Sequence, residues 1–524
     1  MDTKALRQKI LDLAIRGKLV PQDPNDEPAE VLLERIREQK QQMLKEGKLK
    51  KKDIKNDTII FKGEDNLHYE KFQDGTVKCI EDEIPFEIPE GWAWERLSNL
   101  ASFSGGKTPS TSHSEYWDGD ILWVTSKDMK SKYITSSQLC LSALGAEQMR
   151  IHQPNTLLLV TRSGILRHTL PVAILKESAT INQDLKAIVL YMPQLAEYIY
   201  VCLKGMEARL LLKYTKSGTT VENVNFDDFQ KVLLPIPPAQ QIDRIISSTG
   251  DAECIVSTVE DNKVALADCV AKAKAKILDL AIRGKLVPQD PNDKPASVLL
   301  DRIRAEKEEL IKQGKIKRDK KESVIFKGDD NSYYLRTGGV EESLEDWRFD
   351  DLPETWKICC LWELCDYGDC INVNTEDIAE DAWILDLEDI EKDTGTVLKK
   401  VTKAQRNSVS TKHKFHSGQV LYSKLRPYLN KVVLSDADGY CTSEILPLEF
   451  KNCVLPEYAR YYLMSGTFIA YANHCSYGVK MPRLGTTAGE KAIFSLPPLS
   501  EQKRIVETID FCFRQLNKIS EALA

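Results

Sequence analysis

The stretch Ile10-Leu11-Asp12-Leu13-Ala14-Ile15-Arg16-Gly17-Lys18-Leu19-Val20-Pro21-Gln22-Asp23-Pro24-Asn25-Asp26 returns without a change at Ile277 to Asp293, 267 positions later. The match runs on: Val31-Leu32-Leu33 and Arg35-Ile36-Arg37 recur as Val298-Leu299-Leu300 and Arg302-Ile303-Arg304. Phe61-Lys62-Gly63 recurs as Phe326-Lys327-Gly328, and Ile88-Pro89-Glu90-Gly91-Trp92 as Leu352-Pro353-Glu354-Thr355-Trp356. A second repeat begins at Pro237-Pro238, followed by Gln241, Arg244 and Ile245. It resembles Pro497-Pro498 with Gln502, Arg504 and Ile505. Between the shared blocks lie two regions that do not align, roughly 95–235 and 360–495. A period this long is no solenoid. Writing the two shared blocks as A and B, the order is B, variable 1, A-B, variable 2, A, which is a two-unit ring cut inside one unit. The terminal pieces together should imitate the central A-B. Shared ends framing dissimilar middles fit one scaffold carrying two different readers better than an old duplication without meaning.

The scaffold reads as long helices. After Pro237-Pro238 the positions Ile242, Ile245, Thr249, Ala252, Val256, Val259, Lys263, Leu266, Val270, Ala273, Ile277 and Leu280 alternate by three and four. That is a heptad seam with Thr249 and Lys263 as polar exceptions. A continuous helix over these residues is about 60 Å long at 1.5 Å per residue. Ile505, Ile509, Cys512, Leu516, Ile519 and Leu523 keep the phase at one chain end, and Leu6, Ile10 and Leu13 at the other. The two ends are expected to meet as a second helix beside the central one. The charged runs Gln39–Lys55 and Glu306–Lys321 are most simply solvated surface.

Each variable region mixes short strands with helical stretches. Ile121–Val124, Thr156–Val160, Leu170–Leu175 and Leu185–Leu190 read as strands in the first. Gln419–Tyr422, Lys431–Leu434 and Ile445–Phe450 do so in the second. Leu195–Lys213 and Pro456–Asn473 read as helices, giving an α+β globule of about 140 residues each.

The chain has 524 residues, 42% hydrophobic and 29% charged, which excludes a wholly disordered or collagen-like protein. No run of 18 apolar residues suggests a membrane span, and the start, Met1-Asp2-Thr3-Lys4, has no apolar leader core. Thirteen cysteines, scattered and odd in number, suggest reduced thiols in a cytoplasm. They form no Cys-x-x-Cys pair and the seven histidines are dispersed, so no metal site is expected.

The net charge of −7 argues against a nucleic-acid partner, but the average hides local patches. Thr394 to Ser435 holds nine basic residues and no acidic one, interleaved with His413, His416, Tyr422 and Tyr428. A weaker basic stretch spans Gln148 to Lys176, with Arg150, Arg162, Arg167, His152 and His168. Such fields suit a phosphate backbone; a solvated lysine face is the competing reading.

Catalytic motifs fail on inspection. Gly106-Lys107-Thr108 ends like a phosphate-binding loop, but position 101, where the pattern needs glycine, is Ala101. There is no Gly-x-Gly-x-x-Gly loop, no Gly-x-Ser-x-Gly elbow and no Asn-Pro-Pro-Tyr-like methyltransferase motif. Asp184-Leu185-Lys186 is an isolated acid-x-lysine tripeptide.

Over essentially its whole length the chain resembles the specificity subunit of Type I restriction-modification enzymes. The twofold Ile-Leu-Asp-Leu-Ala-Ile-Arg-Gly-Lys-Leu-Val-Pro-Gln block and the twofold Pro-Pro…Gln…Arg-Ile helix start carry the likeness. So do Leu421-Tyr422-Ser423-Lys424-Leu425-Arg426-Pro427-Tyr428-Leu429-Asn430-Lys431 and the approach Thr215–Pro238 with Gly218-Thr219-Thr220. Ala239-Gln240-Gln241 departs from the Leu-x-Glu-Gln seen at Leu499–Gln502, leaving the first helix register open by a residue.

The resemblance implies an α+β chain of two globular target recognition domains, joined by long antiparallel coiled-coil spacer helices with pseudo-twofold, circularly arranged repeats. The segments would be 1–90 (scaffold), 91–236 (first recognition domain), 237–350 (central scaffold), 351–496 (second recognition domain) and 497–524 (terminal spacer helix). Such a chain reads a bipartite, asymmetric double-stranded DNA site without catalysing anything itself. It docks two modification subunits, which methylate adenine, and restriction subunits, a translocase and nuclease. S-adenosylmethionine, ATP and magnesium belong to those partners. Expected DNA-contacting residues are Lys107, Thr108, Ser126, Lys127, Arg162, Arg167 and Lys216 in the first domain. In the second they are Lys399, Lys400, Lys403, Arg406, Lys412, Lys414, Lys424, Arg426, Tyr428, Asn430 and Lys431. The Leu421–Lys431 run serves folding equally well, and Asn182-Gln183-Asp184 either reads a base or closes a turn. Ile242, Ile245, Val256, Val259, Leu266, Val270, Ile277, Leu280, Ile505, Ile509, Leu516 and Ile519 are the expected spacer and partner-docking positions. An exposed seam of this kind predicts poor solubility without partners.

Overall fold

The computed structural model describes residues 2–216, 221–315, 323–330, 332–337, 339–344, 352–406 and 409–523. Gly218, Thr219 and Thr220, and Lys317, Arg318, Lys320 and Lys321 of the second charged run, lie outside the described residues. The chain divides into two units, Met1–Asn262 and Lys263–Ala524.

In the first unit, α1 (Thr3–Ile15) and α2 (Ala29–Lys45) are followed by a meander of β1 (Ile59–Lys62), β2 (His68–Lys71) and β3 (Val77–Cys79). Strands β4 (Ala93–Arg96) and β15 (Leu233–Ile236) pair antiparallel and frame everything between them. Inside that frame lie β5 (Ala101–Gly105), β6 (Trp117–Val124), β7 (Tyr133–Ile134), β8 (Leu139–Leu141), β9 (Leu157–Val160), β10 (Val172–Leu175), β11 (Ala179–Ile181) and β12 (Leu185–Leu190). After them come α3 (Ala196–Gly205), α4 (Glu207–Tyr214), β13 (Thr215–Lys216) and β14 (Asn223–Val224). One sheet has the order β5-β12-β9-β10-β7, the other β11-β6-β8, with β11 parallel to β6. The expected strands therefore form. The single helix expected over Leu195–Lys213 breaks in two at Met206.

The apolar runs are continuous because both faces of the larger sheet are covered. Leu157, Leu159, Ile174 and Ile188 join Tyr198, Ile242 and Ile245 in one core, with Ala14, Ile15, Leu32, Leu33 and Ile36 from α1 and α2. Leu158, Val160, Leu175 and Ala187 enter a second core with Val124 and Ile181. Scaffold and reader thus share one core.

The 44-residue helix α5 (Ala239–Ile282) carries the chain from the first unit into the second, where α6 (Ala296–Lys312) follows. The second unit has its own meander of β16 (Ser323–Lys327), β17 (Tyr333–Thr337) and β18 (Val340–Ser343). Its frame pairs β19 (Lys357–Cys360) with β30 (Ile493–Leu496). The strands between are β20 (Ile371–Val373), β21 (Trp383–Leu385), β22 (Val401–Thr402), β23 (Lys412–Phe415), β24 (Val420–Ser423), β25 (Val432–Leu434), β26 (Gly439–Thr442) and β27 (Ile445–Leu448). Helices α7 (Pro456–Leu463) and α8 (Gly466–His474), split by Ser465, lead to β28 (Ser476–Tyr477), β29 (Arg483–Leu484) and α9 (Leu499–Leu523).

The two middles that do not align in sequence share a topology. The order β27-β24-β25 repeats β12-β9-β10, all antiparallel. The parallel pair β26·β21 repeats β11·β6. The alternation repeats too: Val420, Tyr422 and Leu446 face the scaffold core, while Leu421 and Ile445 face a second one.

Within each unit the scaffold helices run antiparallel. In the first, Arg7 of α1 reaches Glu253 at 2.8 Å and Ser257 at 3.1 Å, while Arg244 near the start of α5 pairs with Asp26 beyond the end of α1. In the second, Lys274 reaches Asn517 at 2.6 Å and Arg504 pairs with Asp293 at 2.7 Å. Each chain end thus packs beside α5 within its own unit. Gly17 ends α1 with φ +65°; a Cβ there would lie 2.5 Å from Pro89, and its counterpart Gly284 repeats both the angle and the clash, with Pro353.

Ile242, Ile245, Val256, Val270, Ile505 and Ile509 are buried as the seam predicts, and Val259, Ile277, Leu280 and Leu516 are partly buried. Leu266 and Ile519 stand exposed, at 42% and 40%. Leu278, off the seam, takes a core place with Ala281 and Ile282. A helix of 3.6 residues per turn drifts from a strict heptad, and globular packing follows the helix.

Candidate nucleic-acid interface

In the first unit the ends of β5, β6 and β9 converge on the turn between β11 and β12. The Lys107 N–H donates to the Ile181 carbonyl at 3.0 Å, that of Asn182 to Val124 at 3.0 Å and that of Thr161 to Asp184 at 2.8 Å. Gly106 permits this closeness, since a Cβ there would lie 2.1 Å from the Ile181 oxygen. The backbone of Arg162 bridges Asn223, and the Val224 N–H donates to Thr161 at 2.8 Å, seating hairpin β13–β14 in the same cluster. Lys107, Thr108, Lys127, Arg162 and Lys216 are exposed there, and Ser126 is half-buried. The Thr108 hydroxyl donates to Gln183. Arg167 is exposed but held by Glu222 at 2.6 Å. Asn182 is buried and exchanges hydrogen bonds with Asp184, so it closes the turn, while Gln183 faces water.

The second unit builds the same junction. The Lys424 N–H donates to Glu444 at 3.0 Å, that of Leu484 to Lys424 at 3.0 Å and that of Arg426 to Pro482 at 2.7 Å. The bridge Leu425·Arg483 matches Arg162·Asn223. Arg426 and Asn430 both adopt left-handed backbone, φ 52° and 49°, around the turn Pro427–Leu429. Within the Leu421–Lys431 run, Leu421, Tyr422, Pro427 and Asn430 are buried and the Lys431 amine donates to the Leu387 carbonyl. Burial pushes that amine's pKa down. Most of the run therefore builds the fold, leaving Lys424, Arg426 and the exposed Tyr428 at the surface.

The acid-free stretch is not the open positive field its sequence suggests. Arg406, half-buried, is clamped by Asp386 and by the fully buried Asp389. Lys399 lies 3.6 Å from Asp389, Lys400 2.7 Å from Asp436, and Lys403 3.0 Å from Glu380 and 2.7 Å from the Ile378 carbonyl. Lys412 is 2% exposed and donates to Ser410, whereas Lys414 on β23 is exposed. Acids distant in sequence supply the counter-charges. Of the histidines in the two basic stretches, burial lowers His152 to about 4 and holds His413 below its ordinary value.

Sequence reasoning missed Arg483, Glu444 and Asn223, whereas Gln183 lay within the Asn182–Asp184 candidate. The signal of the three missed was positional, since Asn223 and Arg483 open strands and Glu444 lies just before one, at an edge that only the topology brings together. Among the described residues no group of three His, Cys, Asp or Glu could hold a metal ion. No helix among them is long and apolar enough to cross a membrane.

The chain is 27% identical to the Type I restriction enzyme EcoAI specificity subunit of Escherichia coli, an alignment covering 98% of this chain and 90% of that one. It is 24% identical to the EcoEI specificity subunit of the same species, covering 99% and 90%. A chain solved in work on complex assembly and conformational transition of the type I R-M system is similar at 15% identity and TM-score 0.49, over 84% of this chain and 94% of that one. The Type I restriction modification DNA specificity domain matches twice, at residues 89–252 and 353–523, over more than half the length, and the chain belongs to that family.

Proposed function

We propose that the chain is the DNA-reading subunit of a Type I restriction-modification complex, each unit reading one half of a split, asymmetric duplex site. One observation carries this: two loop clusters of the same construction present different side chains. The first offers Lys107, Thr108, Lys127, Arg162 and Lys216, the second Lys424, Arg426 and Tyr428. Cations position a phosphate backbone, and side chains that differ between the clusters specify different bases. The half-buried Ser126 and the exposed but paired Arg167 serve the first cluster's edge. Arg406, Lys412, Asn430 and Lys431 support the second from within.

On this reading the chain performs no chemistry. Two modification subunits dock on the scaffold, where Val264 and Leu266 of α5 stand 70% and 42% exposed. They carry S-adenosylmethionine and flip the target adenine; restriction subunits carry ATP and magnesium. The complex works in the cytoplasm. Exchanging residues 91–236 for the corresponding segment of the EcoAI relative, in complex with the modification subunit, tests this. One half of the methylated sequence should change and the other persist. A motif unchanged in both halves would refute the division of labour.

A further inference from the structure

Hairpin β28–β29 carries three large apolar side chains out into solvent. Tyr477 is 63% exposed, Val479 102% and Met481 49%. Single exposed apolar residues are ordinary, but three within five positions, on a turn opened by Gly478 at φ +95°, form an apolar tip. Its root is fixed. The Arg426 N–H donates to Pro482, the Leu484 N–H to Lys424, and the Arg483 guanidinium grips Glu444 through contacts of 2.8, 3.0 and 3.1 Å. That grip neutralises the carboxylate at the root. The half-buried Lys424 and Arg426, whose backbones bond the root, and the exposed Lys480 then leave the hairpin with a surplus of positive charge. An apolar point beside cations, on a two-stranded ribbon, matches the major groove: phosphates line its rims, a ribbon fits its width, and the thymine methyl is the apolar mark on its floor.

Resting on the DNA reading above, we propose that this hairpin is the second unit's thymine reader, Val479 and Met481 meeting C5-methyl groups in the major groove while Lys424, Arg426 and Lys480 hold the adjoining phosphates. The test uses the full chain with its modification subunit and a duplex bearing its methylated split site. Thymines are replaced one at a time by deoxyuridine, which removes the methyl and nothing else. One or two replacements, all in one half-site, should weaken binding about fourfold each, as expected for one buried methyl. Val479→Ser and Met481→Ser complexes, with unchanged melting temperature, should bind the natural duplex about that much more weakly. They should no longer distinguish thymine from uracil there. Site-specific binding indifferent to every deoxyuridine, or undiminished discrimination in both variants, would overturn the inference alone. A wild-type complex with no site-specific binding would instead overturn the DNA reading beneath it.

Discussion

Trp92 donates its indole N–H to the side chain of Gln241 at 2.9 Å, across 149 positions of the chain. Trp356 does the same to Glu501, also at 2.9 Å. The pairing settles the register left open at the start of α5: Gln241 is the counterpart of Glu501 rather than of Gln502. The latch is the same in both units except that one acceptor is an amide and the other a carboxyl. Burial raises the Glu501 carboxyl above its ordinary value, against the donors Trp356 and Gln289. The folded state then holds its proton at pH values where the unfolded chain has lost it, so stability falls as pH rises through that interval. Glu501→Gln should remove this loss, and its melting temperature relative to the native chain should climb as pH rises above the ordinary carboxylate range. A difference independent of pH would contradict the account.

Glu95 gives a second pH effect with a larger reach. It is buried, accepting hydrogen bonds from the Asn99 side chain at 2.6 Å and the Arg96 N–H at 2.8 Å, and burial lifts it from 4.5 to about 7. The sign is again that of a raised acid. Stability should fall as pH rises from about 4.5 towards 7, by up to about 3 kcal/mol. Glu95→Gln should flatten that part of the denaturation profile.

Tyr198 and Tyr458 are fully buried and donate to the carbonyls of Pro235 and Ser495, at 2.8 and 3.1 Å, beside the strands that frame each unit. Tyr198→Phe and Tyr458→Phe should each cost about 1 kcal/mol in denaturant titrations, with DNA specificity unchanged.

The division of basic residues into surface and support predicts opposite phenotypes. Lys107→Ala, Arg162→Ala and Lys424→Ala should each lower the salt dependence of duplex binding by about one unit of slope. Arg406→Met strands the buried Asp389 and should destabilise the second unit by about 3–5 kcal/mol. Its salt slope, measured where it remains folded, should be that of the native chain.

The repeat, the long helix and the strand runs were all legible, because each rests on local periodicity or on copied residues. The common topology of the two middles was not. A strand buried on both faces asks little more than apolar residues, so Leu157–Val160 and Val420–Ser423 satisfy one role while sharing only the leucine at Leu158 and Leu421. The charge map was misleading for a related reason. A window from Thr394 to Ser435 cannot see Glu380, Asp386, Asp389 and Asp436, which the fold folds back onto it. The loop clusters likewise exist only after β5, β6, β9 and the β11–β12 turn have met.

The most direct test of the central claim is to map methylated adenines in a methylation-free host that expresses this chain with its modification subunit, beside a host expressing the modification subunit alone. The account predicts a split, asymmetric motif that appears only when the chain is present. An active modification subunit that marks the same sites, or none, whether or not the chain is there would contradict it.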